Sequence, residues 1–230
     1  MKEDMVNDKD IVVPGEELAV GMDYVPSTGT YRDSDKIIAA QLGIVNIAGR
    51  VIKIIPLNGR YMPKIGDVVI GKVANMTFSS WFIDIGYAYE AVISLKDATS
   101  EFIERGADLS RYFDFGDLVV AKIVNVTKSN AIDLSMKGPG LHKLKGGRII
   151  YVTPSKVPRI IGKQASMINL VKEKTGCKIT VGQNGWVWIE SENPKKELIA
   201  SKVLEYIDEN AHKNGLTDDV SNMLAKELRG

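Results

Sequence analysis

The clearest alternation of apolar and polar positions lies near the middle of the chain. Between Trp81 and Ile85 every second residue is apolar and points to one face, while Phe82 and Asp84 point to the other. The same period of two recurs over residues 131–137. With the apolar runs at 68–73, 91–95 and 118–126, this pattern predicts five short strands, which is typical of an OB-type barrel.

The segments on either side of this pattern differ from it and from each other. Before it, short β-branched runs stop at turn residues such as Pro56, and no helical period is sustained, so we expect an all-β domain. After the Gly-Pro-Gly boundary at 138–140, strand-like and helix-like stretches alternate. The connection over 96–117 is predicted to contain a short helix around residues 101–105.

These patterns predict a multidomain chain that is mainly β and then α+β. The predicted domains are an all-β domain at 1–65, a five-stranded OB-type barrel at 66–138 and an α+β domain with extra C-terminal helices at 141–230. The turn at 182–185, Gly-Gln-Asn-Gly, suits a tight hairpin because Asn and Gly tolerate left-handed backbone angles, and we interpret it as structural.

The distribution of charge along the chain is more informative about function than the net charge. The chain holds 44% hydrophobic and 26% charged residues with a net charge of +1. Residues 1–68 and 69–140 each carry −2 (8 − 10 and 7 − 9), whereas residues 141–230 carry +5 (15 − 10). Within 141–178 the balance is nine basic residues to one acidic, or +8. Such a concentrated basic segment is the pattern expected of a phosphate-binding surface.

Several classes of protein are disfavoured by composition. Cys177 is the single cysteine, which excludes an intrachain disulfide and suits a reducing compartment. His142 and His212 have no neighbouring Cys or His, so we expect neither a metal site nor a cofactor. No apolar run approaches the roughly 18 residues of a membrane helix, and the charged start does not resemble a signal peptide, so we expect a cytoplasmic protein.

The strongest binding motif runs from Val157 to Ile168. Its sequence, VPRIIGKQASMI, resembles the KH RNA-binding motif, in which I-I-G-x-x-G precedes an amphipathic helix. A glycine-opened loop at a helix N-terminus presents backbone N–H groups to phosphate. Ala165 stands where the family's loop ends in glycine, and its methyl group restricts backbone angles and phosphate approach. The residues expected to contact RNA here are Lys156, Arg159, Gly162, Lys163 and Gln164.

The barrel segment carries a second resemblance. Its strand and turn residues, among them GDVVIGKV at 66–73 and FIDIG at 82–86, resemble the RNA-binding repeat of ribosomal protein S-one, an OB fold that stacks bases on exposed aromatic rings. Two family positions that are usually aromatic or His fall at Ser79 and Ser94, so the stacking surface is expected to be depleted. The candidate RNA contacts on this face are Phe82, Tyr89, Lys122 and Lys128.

The order of the three segments resembles one family as a whole. A β domain, an S-one repeat and a KH domain with the sequence GQNGWVWI at 182–189 are similar to the RNA-binding cap subunits of the archaeal exosome. That resemblance implies a non-catalytic partner of single-stranded, A-rich RNA and of a hexameric phosphorolytic ring. It further implies three copies, as a homotrimer or a mixed cap, docked through the N-terminal domain.

Two other functions remain open from the residues alone. A transcription or translation factor can carry S-one and KH modules in this order, although the bacterial elongation factor of this type has two KH domains and a largely helical N-terminus. An RNA-degrading enzyme would need its own active site. Asp84 and Asp133 are outward carboxylates of the kind that hold Mg²⁺, but no partner carboxylate stands at motif spacing.

Overall fold

The computed structural model describes residues 6–99, 108–211, 213 and 215–228, so the helix predicted around 101–105 lies outside the described residues. The chain divides into two compact units, Met1–Gly59 and Arg60–Gly230. In its described part no helix is long and apolar enough to cross a bilayer.

The first unit is built of strands, as its β-branched runs predicted. They form two small sheets, one in the order β1-β6-β7-β3 and one in the order β2-β5-β4. The buried side chains between them include Leu18, Ile37, Ile52 and Ile54. Its strands are β1 (Ile11–Val12), β2 (Glu17–Val20), β3 (Val25–Pro26), β4 (Thr30–Asp33), β5 (Lys36–Ala39), β6 (Gly43–Ala48) and β7 (Val51–Pro56).

The second unit opens with the predicted barrel. Its strands run in the order β12-β10-β9-β8-β11, and β12 also pairs with β11, which closes the barrel. Trp81 lies fully inside, where its Nε1 donates to the carbonyl of Phe113 at 3.0 Å. The predicted OB-type fold and alternation are therefore confirmed. The barrel strands are β8 (Val68–Met76), β9 (Ser80–Asp84), β10 (Ala91–Ser94), β11 (Leu118–Val126) and β12 (Ile132–Ser135), with helix α1 (Leu95–Ala98) after β10.

A three-stranded antiparallel sheet with helices on one face follows. The sheet order is β14-β16-β15, so β15 is an edge strand. Its core combines strand residues such as Val187 with helix residues such as Val171, Val203 and Val220. The strand that precedes this domain, β13 (Lys143–Leu144), pairs with β11 at the end of the barrel sheet. The elements of the domain itself are β14 (Arg148–Tyr151), α2 (Val157–Ile161), α3 (Ser166–Thr175), β15 (Lys178–Val181), β16 (Trp186–Glu190), α4 (Pro194–Glu209) and α5 (Leu216–Glu227).

The barrel and the C-terminal domain pack directly against each other. Ile70 and Val120 on the outside of the barrel join Leu144 and Trp188 in one buried apolar cluster. The helices of the C-terminal domain cover the opposite face of its sheet, because Val187 and Ile189 alternate with Trp188 and contribute to the helix-side core. The sheet is therefore buried on both faces. This packing fixes the orientation of the loop between α2 and α3 relative to the barrel.

Candidate RNA-binding surfaces

The KH-type loop, residues 162–165, connects α2 to α3. Gly162 has φ 76° and ψ 170°, and a Cβ there would lie 2.8 Å from the backbone nitrogen of Met167. Only glycine fits such a position. Gln164 and Ala165 follow in left-handed conformations, and α3 then begins without a side-chain cap. The loop thus presents the uncapped start of a ten-residue helix, the end that favours anions.

Ala165 adopts the conformation that a glycine would occupy at lower cost. Its φ is 61°, and the left-handed region costs a residue with a Cβ about 1–2 kcal/mol. The departure from the family motif therefore changes the side chain at this position and leaves its glycine-like backbone geometry in place.

Replacing Ala165 with Gly should raise the free energy of unfolding by about 0.5–1 kcal/mol, because relief of left-handed strain exceeds the added freedom of the unfolded chain. RNA affinity should also rise, since the methyl group no longer limits phosphate approach. Urea unfolding checks the first effect. The matched control, Ala225→Gly at an exposed position of helix α5, should instead destabilise by about 1 kcal/mol. Equal destabilisation by both changes would contradict the strain argument.

The cations predicted beside this loop have different surroundings. Lys156 donates to the carbonyl of Asp208 at 2.7 Å and lies 3.9 Å from its carboxylate, while Arg159 donates to the carbonyl of Lys213 at 2.8 Å. Lys156 therefore connects the residue before α2 to the last turn of α4, and Arg159 connects α2 to the segment between α4 and α5. Lys163 and Gln164 are exposed on the loop itself. Of the three cations, Lys163 is the one that the structure leaves most available to RNA.

The barrel residues predicted to bind RNA occupy several places. Phe82 is half-buried on the outer face of β9, with Asn75 and Val92 as its ladder neighbours. Tyr89 is exposed after β9, with its ring 6.0 Å from that of Tyr87. Lys128 is exposed in the turn between β11 and β12.

Lys122 does not share the ladder row of Phe82. Its own neighbours are Val68 and Ser135, and Val68 bonds to Gln183 of the C-terminal domain through both backbone groups. Lys122 therefore lies beside the junction with the C-terminal domain. The structure separates it from the aromatic face with which the sequence grouped it.

Phe78 is an exposed aromatic residue that sequence reasoning missed. It lies in the turn between β8 and β9 and is 86% exposed, the largest fraction among the exposed large hydrophobic side chains described. The signal was present, because a lone aromatic residue stands in the polar turn 77–80 beside Ser79, the position compared with the family. Phe78 therefore places an exposed ring one position before Ser79, where the sequence predicted that an aromatic residue is lacking.

The 182–185 turn lies against the barrel and not in solvent. Asn184 is 5% exposed, and its side chain accepts from the N–H of Ile70 and donates to the carbonyls of Ile70 and Ile85 at 2.7 and 2.9 Å. A Cβ on Gly182 would lie 2.8 Å from the backbone nitrogen of Ile70. The turn therefore connects the two domains of the second unit through buried hydrogen bonds.

Two carboxylates stabilise the barrel around these surfaces. The hydroxyl of Tyr61 donates to Asp67 at 2.7 Å, and burial together with this bond raises the pKa of Tyr61 well above its usual range. Burial acts to raise the pKa of Asp117, but hydrogen bonds from Lys143 and from the N–H of Asp114 outweigh it and lower that pKa. The charge of Lys143 is consequently compensated at neutral pH.

The two carboxylates considered for metal binding have local partners. Asp84 accepts from the N–H of Gly86 at 2.8 Å, and Asp133 accepts from the side chain of Asn125 at 2.9 Å. Among the described residues, no group of three or more His, Cys, Asp or Glu side chains is placed to hold a metal ion.

Comparison with known families matches three successive regions of the chain. Residues 11–48 match the exosome complex exonuclease RRP4 N-terminal region, residues 60–105 match the RRP4 S1 domain, and residues 147–195 match a KH domain. The order agrees with the order of the three modules predicted from the sequence.

Similar proteins extend the match to the full chain. The exosome complex component Rrp4 of Pyrococcus furiosus is 43% identical over 100% of this chain and 88% of its own length. That of Thermococcus kodakarensis is also 43% identical, over 100% and 90%. A crystal structure of an exosome complex RNA-binding protein has a TM-score of 0.68 and 36% identity, and covers 74% of this chain and 98% of its own. Because similarity at this level spans all three modules, the chain belongs to the family of exosome complex component Rrp4.

Proposed function

We propose that this protein is a non-catalytic RNA-binding cap component of the exosome. It would recruit single-stranded, A-rich RNA and guide it into a hexameric 3'–5' phosphorolytic ring for degradation or processing. The observation that carries this proposal is full-length similarity to the Rrp4 family, with the barrel and the KH domain in their family order. The predicted cytoplasmic location belongs to the same proposal.

Two surfaces of the second unit support RNA binding. The KH-type loop offers a helix N-terminus together with the exposed ammonium of Lys163. The barrel offers Phe82 and Phe78, on whose rings unpaired bases would stack. Stacking on aromatic residues does not depend on base identity, which suits a protein that handles many RNA sequences.

Three copies on one ring would strengthen individually weak contacts. Once one surface holds an RNA strand, binding to the next becomes intramolecular, and its effective concentration depends on the span between sites. A barrel segment with a net charge of −2 over 69–140 would then let RNA advance, whereas a strongly basic one would retain it. We infer a homotrimeric or mixed cap from the resemblance to the cap subunits of the exosome.

The absence of catalysis is a separate part of the proposal. Asp84 and Asp133 are engaged by Gly86 and Asn125, and neither stands in a cluster suited to a metal ion among the described residues. The N-terminal segment is similar to the N-terminal region of an exosome complex exonuclease, so the protein alone must be tested for degradation.

End-labelled oligoadenylate tests the proposed function directly. The purified protein alone should not shorten it, with or without Mg²⁺ and phosphate, whereas addition to a phosphorolytic ring should lower the RNA concentration needed for half-maximal degradation.

Phe82→Ala should weaken RNA binding by about 1–3 kcal/mol, or roughly 5- to 150-fold, if a base stacks on the phenyl ring of Phe82.

The control is Phe115→Ala, which removes a 58% exposed ring outside the ladder row of Phe82. Processive shortening by the protein alone would overturn the non-catalytic proposal. Unfolding of the Phe82 variant would show that this ring belongs to the core. An equal loss of RNA affinity in both variants would remove the barrel face from the RNA path.

A further inference from the structure

A groove borders the edge strand β15 on the side away from the KH-type loop. Its volume is about 690 Å³, and it lies between the β13 segment, the end of α3 and the sheet of the C-terminal domain. Four lysines line it: Lys143, Lys145, Lys172 and Lys178. We propose that this groove binds the sugar–phosphate backbone of single-stranded RNA, an inference that rests on the proposed function and adds a second contact site to it.

The basic segment noted in the sequence is only partly explained by the KH-type loop. Of its nine cations, Lys156 is bonded to the last turn of α4, Arg159 to the segment that follows α4, and Arg148 lies 3.7 Å from Glu197. Lys163 stands on the loop. The remaining positive charge is concentrated at the opposite end of α3, around the groove.

The groove keeps uncompensated charge. Lys143 is paired with Asp117, and Lys178 is paired with Glu190 at 3.0 Å. In the part of the chain that the structure describes, neither Lys145 nor Lys172 forms an ion pair. Two ammonium groups therefore face a concave surface without a carboxylate partner, which is the electrostatic condition for holding phosphates.

The lining favours phosphate over base recognition. Its large ring, Trp188, is 6% exposed because it packs against the barrel and donates to the carbonyl of Gly146 at 2.8 Å. The exposed imidazole of His142 is the one accessible ring in this described lining, whereas a phosphodiester would meet several flexible ammonium groups. Contacts of this kind are independent of sequence.

The position of the groove defines a continuous path. The KH-type loop precedes the first turn of α3, and Lys172 is the seventh of its ten residues, so about 10 Å of helix axis separates the two sites. The strand β15, whose outer edge has no partner strand among the described residues, begins beside the groove. A single strand leaving the loop along α3 would reach Lys172 and then Lys145.

The test is the double variant Lys145→Ala with Lys172→Ala, measured for oligoadenylate affinity across a salt series. Each phosphate contact to a single strand contributes about 0.7 to the slope of log K against log salt, so the slope should fall by about 1.4. The control, Lys195→Ala with Lys226→Ala, removes the same charge from α4 and α5 and should leave the slope unchanged. A charge-preserving variant, Lys145→Arg with Lys172→Arg, should retain the wild-type slope.

The outcomes separate this inference from the function on which it rests. If the wild-type protein binds no RNA, the proposed function fails. If it binds RNA and the double Ala variant has the wild-type slope, the groove is not on the RNA path, although the function stands. Loss of ring association with unchanged RNA binding would assign the groove to an acidic protein surface and overturn the RNA proposal. Should the Ala variant unfold, loss of slope in Lys145→Gln with Lys172→Gln decides the question.

Discussion

Replacing Asn184 with Ala should lower the free energy of unfolding of the second unit by about 3 kcal/mol. The side chain makes three hydrogen bonds to barrel backbone groups at Ile70 and Ile85 while being 5% exposed. Each bond contributes about 0.5–1.5 kcal/mol, and leaving a buried partner unsatisfied adds about 1–3 kcal/mol. Because these partners belong to the barrel, the loss should weaken the junction between the two domains.

Urea unfolding monitored by tryptophan fluorescence measures this effect, since Trp186 and Trp188 lie on the strand after the turn and Trp81 lies in the barrel. The matched control is Gln183→Ala. The Gln183 side chain is exposed and accepts a single bond, from the N–H of Val68 at 3.2 Å, so its loss should cost less than about 1 kcal/mol. Equal effects of the two substitutions would show that the buried hydrogen bonds of Asn184 do not stabilise the domain interface more than the exposed bond of Gln183 does.

Removal of residues 1–59 should abolish association with the phosphorolytic ring and leave a folded fragment that still binds RNA. The cut follows the boundary between the two compact units. It also retains Tyr61, which is 7% exposed in the barrel core and bonded to Asp67, so a longer deletion would damage the barrel itself. Co-purification with the ring and circular dichroism of the fragment measure the two parts of this prediction.

The surface of the first unit supports a docking role. Of the eighteen exposed large hydrophobic side chains in the described residues, nine lie within 6–59 and nine in the much longer described part of the second unit. Ile11, Ile44 and Ile55 form one cross-strand row on its four-stranded sheet, and Ile11 and Ile55 are 64% and 49% exposed. Apolar patches of this kind mark protein interaction surfaces.

A point variant sharpens this test without deleting a domain. Ile11→Ser with Ile55→Ser should weaken ring association, because burial of each side chain at an interface contributes about 1.5–3 kcal/mol. The control, Met62→Ser with Ile65→Ser, removes two exposed apolar side chains of the second unit. Ring association at full stoichiometry by the truncated protein would place the docking surface outside residues 1–59.

Much of the architecture was determined by local sequence patterns. The period of two around Trp81 and the turn residues between strands predicted the barrel, because a strand with one buried face must alternate. The tight loop at Gly162 was predictable for a similar reason. Its backbone angles and the approach of Met167 leave no room for a Cβ, so the glycine in the sequence indicates the loop. These features depend on neighbours within a few residues, and the sequence shows such neighbours directly.

Tertiary structure decided which predicted residues are available to RNA. Lys156 and Arg159 looked like phosphate ligands, yet their partners, Asp208 and Lys213, lie more than 50 positions along the chain. Asn184 was expected in a tight turn from its backbone preference. Its hydrogen bonds to Ile70 in strand β8 are evident only once the two domains are packed together. Lys145 and Lys172 line one groove for the same reason. The period of a pattern shows which face of an element a side chain occupies, whereas the element that covers that face depends on long-range packing.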